Sequence, residues 1–343
     1  MRRFHRRSLA PTVRVRSAVR AAIAAGAVAV LGLAAGLGAP AQAAARQGAV
    51  NDLTFVTPRL GWVVVAPRIG RPGTLYRTEN GGQSWRLVAR GIAATSLVFR
   101  SRSDGEALVP VAGSAGMCHV GLTAVSSTDG GVTWHAPQAI RAEDAPVALA
   151  FEGAVPTLLN ASCAGAYGAV QAPTAGTQWG LQGNLALSAS LRRTYAGATV
   201  VSLTSRGTFA VVGYANLGAG APLLRGYAHR GGRGLGPAAW RAEAIGAAGL
   251  PGRLVAVSFA NVRQGIVATE NAPGTALTVW STANAGRTWS HAFTVEHAAQ
   301  ATLDMVGGGV AYASLTSDRG DGASTLFKSV DGGVRWSRVV LPA

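Results

Sequence analysis

One short pattern recurs four times along this 343-residue chain, and its spacing constrains the fold more than any other feature. It reads Ser/Thr-x-Asp/Asn-x-Gly-x-x-Trp and spans Thr78 to Trp85, Ser127 to Trp134, Thr282 to Trp289 and Ser329 to Trp336. Between the second and third copies stand Trp179, shortly after Gly176, and Trp240, where two decayed copies would fall. The Trp ladder 85, 134, 179, 240, 289, 336 then has steps of 49, 45, 61, 49 and 47 residues. A period of this size signals units that cannot bury their apolar faces alone and must stack on their neighbours.

A second marker precedes the boxes. Phe55 leads to Gly61-Trp62, Phe99 to Gly105 and Phe259 to Gly265, each Gly six residues after its Phe, with looser versions from Leu203 to Gly207 and Leu303 to Gly307. Between the markers lie short β-rich runs such as Trp62 to Val65, Thr74 to Arg77 and Ser84 to Val88, so one unit reads as four short strands. In the box, Asn80, Asp129, Asn284 and Asp331 can accept hydrogen bonds from the N–H groups of their own turn. Gly82, Gly131, Gly286 and Gly333 supply positive φ, the hydroxyls tie the strand ends, and Trp85, Trp134, Trp289 and Trp336 bury their rings between sheets. These are requirements of a hairpin between third and fourth strands. The expected fold is therefore an all-β, six-bladed β-propeller of four-stranded blades over residues 44–343, with seven blades as the alternative that uses the 61-residue step.

The boxes resemble the Asp-box, or bacterial neuraminidase repeat, of sialidases and of many non-enzymatic propellers. The fuller unit, Phe-x5-Gly-Trp followed by Thr-x-Asn-Gly-Gly-x-Ser-Trp in the first repeat, is similar to the photosystem II stability and assembly factor family, and the likeness covers about residues 50–341. It implies an assembly or scaffolding propeller that docks on a partner. The matching residues are turn-formers, so the likeness speaks to fold rather than activity.

Residues 1–43 read as a secretory signal: a basic stretch, an uncharged run from Ala21 and the small-x-small site Ala41-Gln42-Ala43. The expected location is accordingly secreted, periplasmic or cell-envelope, with no stable membrane insertion once the leader is cleaved; a retained anchor is the alternative. Removing the seven leader arginines leaves 24 basic against 15 acidic residues, or +9, which suits an acidic protein surface or an acidic glycan. No basic run interleaved with aromatics survives, so nucleic acid is not expected, and the unit reads as a monomer. Arg59, Arg100, Arg102, Arg206 and Arg263 follow the first-strand marker at similar offsets and form a hypothesised basic rim on the box face. Cys118 and Cys163 each lie 16 residues before a ladder Trp, and an exported chain would bridge them as a staple between adjacent blades.

Catalytic, metal and cofactor residues are not expected. Sialidases grip a carboxylate with three arginines and carry Phe/Tyr-Arg-Ile-Pro before the first box, whereas Pro67-Arg68-Ile69-Gly70 keeps only Arg-Ile. The carboxylates Glu152, Glu270 and Asp304 read as loop or strand-edge residues rather than a glycosidase pair. The His residues lack zinc-type spacing, and Gly231-Gly232-Arg233-Gly234 lacks the strand-to-helix context of a phosphate cradle. The expected role is non-enzymatic binding, scaffolding or assembly, with a divergent sialidase-like hydrolase as the alternative.

Overall fold

The structure is a computed structural model that describes residues 48–111, 121–140, 147–152, 154–161, 168–173, 179–185, 187–188, 190–204, 209–217, 220–229, 240–271, 274–319 and 322–342. Twenty-four strands fall into six separate antiparallel ladders, each pairing consecutive strands. Blade 1 comprises β1 (Ala49–Phe55), β2 (Gly61–Ala66), β3 (Gly73–Thr78) and β4 (Arg86–Ile92); blade 2, β5 (Ser96–Phe99), β6 (Gly105–Pro110), β7 (Leu122–Ser127) and β8 (His135–Ile140). Blade 3 holds β9 (Val147–Glu152), β10 (Val155–Ala161), β11 (Gly168–Pro173) and β12 (Trp179–Asn184). A 3-10 turn, Leu191–Arg193, leads into blade 4 with β13 (Tyr195–Leu203), β14 (Phe209–Asn216), β15 (Leu223–His229) and β16 (Trp240–Ala244). Blade 5 has β17 (Arg253–Phe259), β18 (Gly265–Glu270), β19 (Ala276–Thr282) and β20 (Ser290–Glu296), and blade 6 has β21 (Ala298–Gly307), β22 (Val310–Ser317), β23 (Ser324–Ser329) and β24 (Ser337–Val339).

The first strands close a ring: β1 lies against β5, β5 against β9, β9 against β13, β13 against β17, β17 against β21, and β21 against β1. The expectation of a six- or seven-bladed ring needs a correction at its seven-bladed alternative. The seventh blade falls away, because the 61-residue step is taken up by the 3-10 turn and by the nine- and eight-residue strands β13 and β14 of a single sheet. The expected run from Ser84 to Val88 is also shifted, since Ser84 and Trp85 belong to the turn and β4 begins at Arg86.

Burial explains the composition of each strand. Second strands are covered on both faces by neighbouring blades, so β2 (GWVVVA) and β22 (VAYASLTS) are buried almost throughout. Outer strands face solvent, and β4 and β20 are mostly exposed or half-buried. The Phe-to-Gly marker has a steric cause: a Cβ on Gly61, Gly105 or Gly265 would come within 2.2 to 2.5 Å of the ring of Phe55, Phe99 or Phe259. Each of these rings also meets its own blade's box Trp edge-on, at 6.3, 6.0 and 6.2 Å. On their other side Phe55 stacks on Tyr312 and Phe99 on Trp62, with centroids 3.5 and 3.8 Å apart. The marker therefore lies at the seam between consecutive blades.

The last seam joins the two ends of the described chain. Ser324 Oγ accepts the Val50 N–H at 2.8 Å, and the Ser324 N–H donates to Gly48 O at 3.2 Å. Trp85 Nε1 donates to Val340 O, and Tyr312 Oη to Pro58 O, both at 3.0 Å. Cys118, Cys163, Arg206, the leader and the Gly231–Gly234 loop lie outside the described residues.

Candidate functional site

All four boxes build the same turn between third and fourth strands. In the first, Thr78 Oγ1 accepts the Gly82 N–H (2.8 Å) and donates to Asn80 Oδ1 (2.9 Å), which accepts the Ser84 N–H (2.9 Å). Ser127, Thr282 and Ser329 accept the N–H of Gly131, Gly286 and Gly333 at 2.8, 2.9 and 2.9 Å. Asp129, Asn284 and Asp331 accept the N–H of Thr133, Thr288 and Arg335 at 2.9, 3.0 and 2.9 Å. The contacts to Thr133, first among several hydrogen bonds, hold the Asp129 carboxyl down at about 2. Every donor and acceptor named here is consumed within the turn.

The boxes share one face of the propeller with the loops between first and second strands. Gly81 N–H donates to Arg59 O (2.8 Å), Gly130 N–H to Ser103 O (2.7 Å), Ala285 N–H to Arg263 O (3.0 Å) and Gly332 N–H to Gly309 O (2.7 Å). Arg59, Arg100, Arg102 and Arg263 are exposed on that face. They are not equivalent. Arg100 pairs with Asp104 at 3.2 Å and Arg102 with Glu79 at 2.7 Å, whereas no ion pair engages Arg59 or Arg263 among the described residues. Pro67–Gly70 lies in a loop between second and third strands, on the opposite face.

Where blade 1 meets blade 2, the box face holds a cleft of about 370 Å³ lined by Arg77, Glu79, Asn80, Ser84, Trp85, Arg86 and Arg102. Arg77 comes from the end of β3, Arg86 from the start of β4, and Arg102 from the β5–β6 loop of the next blade. Glu79 is the cleft's one carboxylate: its Oε1 lies 3.0 Å from Arg77 Nη2 and 2.7 Å from Arg102 Nη2. The Arg77 side chain is only 8% exposed. Burial, followed by the neighbouring Arg86 charge, pushes its pKa down, as expected of a cation with too little counter-charge. Three guanidiniums around one carboxylate make this an anion-binding arrangement. Sequence reasoning found Arg102 but missed Arg77, Glu79 and Arg86; the available signal was a charged residue on either side of the first box's Thr78.

A second cavity, about 280 Å³, lies along the ring axis and is lined by all six first strands. Asp52 and Asp304 face it, and burial raises both carboxyls to about 7. Their oxygens link blades: Asp52 Oδ2 accepts the Leu97 N–H and Asp304 Oδ2 the Phe55 N–H, each at 2.6 Å. Ser258 Oγ plays the same part between blades 5 and 6, accepting the Met305 N–H at 2.9 Å. The other carboxylates weighed as acid or base are engaged too: Glu152 Oε1 lies 2.9 Å from His229 Nδ1, and Glu270 pairs with Arg253 at 2.6 Å. Among the described residues no group of three or more His, Cys, Asp or Glu is placed to hold a metal ion.

No protein-family model matches the chain, and no curated protein does. Several solved structures are similar to it. YCF48 bound to a D1 peptide matches at 15% identity and a TM-score of 0.43, over 86% of this chain and 82% of that one. A Dyadobacter fermentans protein of unknown function matches at 13% and 0.49, over 83% and 94%. A Hadza microbial sialidase matches at 11% and 0.45, over 84% of this chain but 65% of the sialidase. At these values the functional reading rests on the geometry of the chain's own cleft.

Proposed function

We propose that this propeller is an exported binding module that docks an acidic segment of a protein partner on its box face, centred on the Arg77, Arg86 and Arg102 cleft. The observation that supports this most is the surplus of positive charge there, three guanidiniums against the single carboxylate of Glu79. Guanidinium forks match carboxylates bidentately, and a nearly buried one binds an anion more tightly than a solvated one does. Exposed Val132 in the second box, 52% accessible, gives the same face an apolar side chain suited to a peptide. Arg59 and Arg263 extend the positive field around the ring.

The test is a fluorescence-polarisation titration of the purified protein with a short fluorescein-labelled poly-glutamate peptide at two salt concentrations. Binding that weakens with salt and is lost in an Arg86→Glu, Arg102→Glu double variant is the expected result. Equal affinity in the variant overturns the reading. Turnover of fluorogenic sialosides by the same preparation would replace it with the hydrolase alternative.

A further inference from the structure

The turn chemistry of the first box does not use Glu79. Thr78, Asn80, Gly82 and Ser84 complete that turn, and the corresponding position in the other boxes carries Thr128, Ala283 and Val330, none of them acidic. Glu79 instead points across the seam, half-exposed at 50%, and one of its oxygens serves two guanidiniums from different blades. Arg77 occupies the position that Lys328 holds in blade 6. Lys328 reaches over its seam to donate to Gly81 O at 3.2 Å, and the Arg77 guanidinium reaches over its own to the second box, where Nη1 would lie 3.0 Å from a Cβ on Gly130.

Resting on the binding reading above, we propose that Glu79 is an internal stand-in for the partner's acidic side chain, occupying the anion site in the free protein and swinging out when the partner binds. The physical case is an asymmetry between the two ion pairs. Arg77 is held nearly buried by its strand and requires an anion beside it. The Arg102–Glu79 pair is 67% and 50% exposed, so its release into water costs little. An incoming carboxylate can therefore take over the contact to Arg77 while Glu79 returns to solvent. The free protein keeps its buried guanidinium neutralised, and the site selects ligands acidic enough to displace a carboxylate already in place.

Glu79→Gln separates this from a simple charge effect when compared with Glu296→Gln. Glu296 is exposed at the far end of β20, so both variants raise the net charge equally. In the poly-glutamate titration, Glu79→Gln should bind roughly three- to ten-fold more tightly than the parent, with Glu296→Gln unchanged. Thermal melting of each variant checks that the blades remain folded. If the parent binds and the Arg double variant does not, yet Glu79→Gln binds no better than the parent, the stand-in is refuted and the cleft survives. If neither the parent nor Glu79→Gln binds, the cleft reading falls and takes the stand-in with it.

Discussion

Blades 1, 2, 5 and 6 carry the box, and blades 3 and 4 reach the same four-stranded ladder without it. In the boxed blades the third-to-fourth strand turn is closed by a hydroxyl, an Asp or Asn and a glycine at positive φ. Where the boxes are missing, the ladder Trp residues still begin the outer strands β12 and β16, and both residues are buried, 8% exposed. The seam between blades 3 and 4 is fastened by longer-range contacts. Tyr214 and Tyr227 hydroxyls converge on Leu185 O at 3.5 and 3.1 Å, and His229, whose side chain is 1% exposed, pairs with Glu152 across the seam at 2.9 Å. The comparison teaches that the Trp ladder belongs to the packing between blades, and the box to one local turn. A blade can lose the second while keeping the first.

The largest expected effect tests the ladder. Trp240→Ala should lower unfolding free energy by about 3 to 5 kcal/mol, because its ring fills the blade 3–4 core with Leu185, Leu187 and Tyr227. Trp85→Ala should cost a similar amount, losing its packing on Phe55 together with the hydrogen bond to Val340 O. Denaturant titration of both variants measures this. A small effect at Trp240 beside a large one at Trp85 would mean that the box, rather than the seam, sets the value of the Trp.

The next effect separates the axis from the rim by pH. Asp304 titrates near 7 in the fold against about 4 in an unfolded chain, so the folded state holds the proton more tightly. That contribution is complete below pH 4 and is lost as pH rises through 7. Asp129 behaves oppositely, its contribution being present above pH 4 and lost as pH falls through about 2. The melting temperature should therefore decline between about pH 4 and 7. Asp304→Asn, whose amide oxygen can still accept the Phe55 N–H, should flatten part of that decline, the rest belonging to Asp52 and Glu106, which burial also raises to about 7. An unchanged slope would remove Asp304 as one of its sources.

Much of this was legible in the sequence because it is local. The box, the marker glycines and the strand count follow from short-range turn chemistry and from ring-over-glycine packing within one blade. The cleft was only half legible. Arg102 could be placed on the box face by its offset from Phe99, but its partner Glu79 belongs to the preceding blade, and no within-repeat offset reveals a contact across a seam. Asp52 was missed for the same reason, since its partner Leu97 also lies in the next blade. Arg77 was read as a strand residue; its burial depends on how the second box closes over it.

A smaller effect isolates the turn. Thr78→Val keeps the shape of the side chain but strips the acceptor from the buried Gly82 N–H, which should cost about 1 to 3 kcal/mol by chemical denaturation. A value near zero would make the turn a consequence of the ladder rather than a clamp of its own.

The smallest effect concerns the one box that departs from the glycine rule. Ala285 stands at φ 63°, where the other three boxes place Gly81, Gly130 and Gly332 at 72°, 78° and 82°. A Cβ in this left-handed region meets its own backbone, at a cost of roughly 1 kcal/mol or more. Replacing Ala285 by Gly relieves that strain but also loosens the unfolded chain, which takes back part of the gain. The net stabilisation should be about 0.5 kcal/mol. Gly332→Ala is the mirror experiment, because a Cβ there meets no atom within 4 Å and any loss is due to the backbone alone. It should destabilise by about 1 kcal/mol. Opposite signs for the two substitutions, read as shifts in denaturation midpoint at constant slope, would show that the turn conformation is common to all four boxes. A destabilised Ala285→Gly variant would mean that the third box is held by the Gly246–Ala285 backbone contact instead.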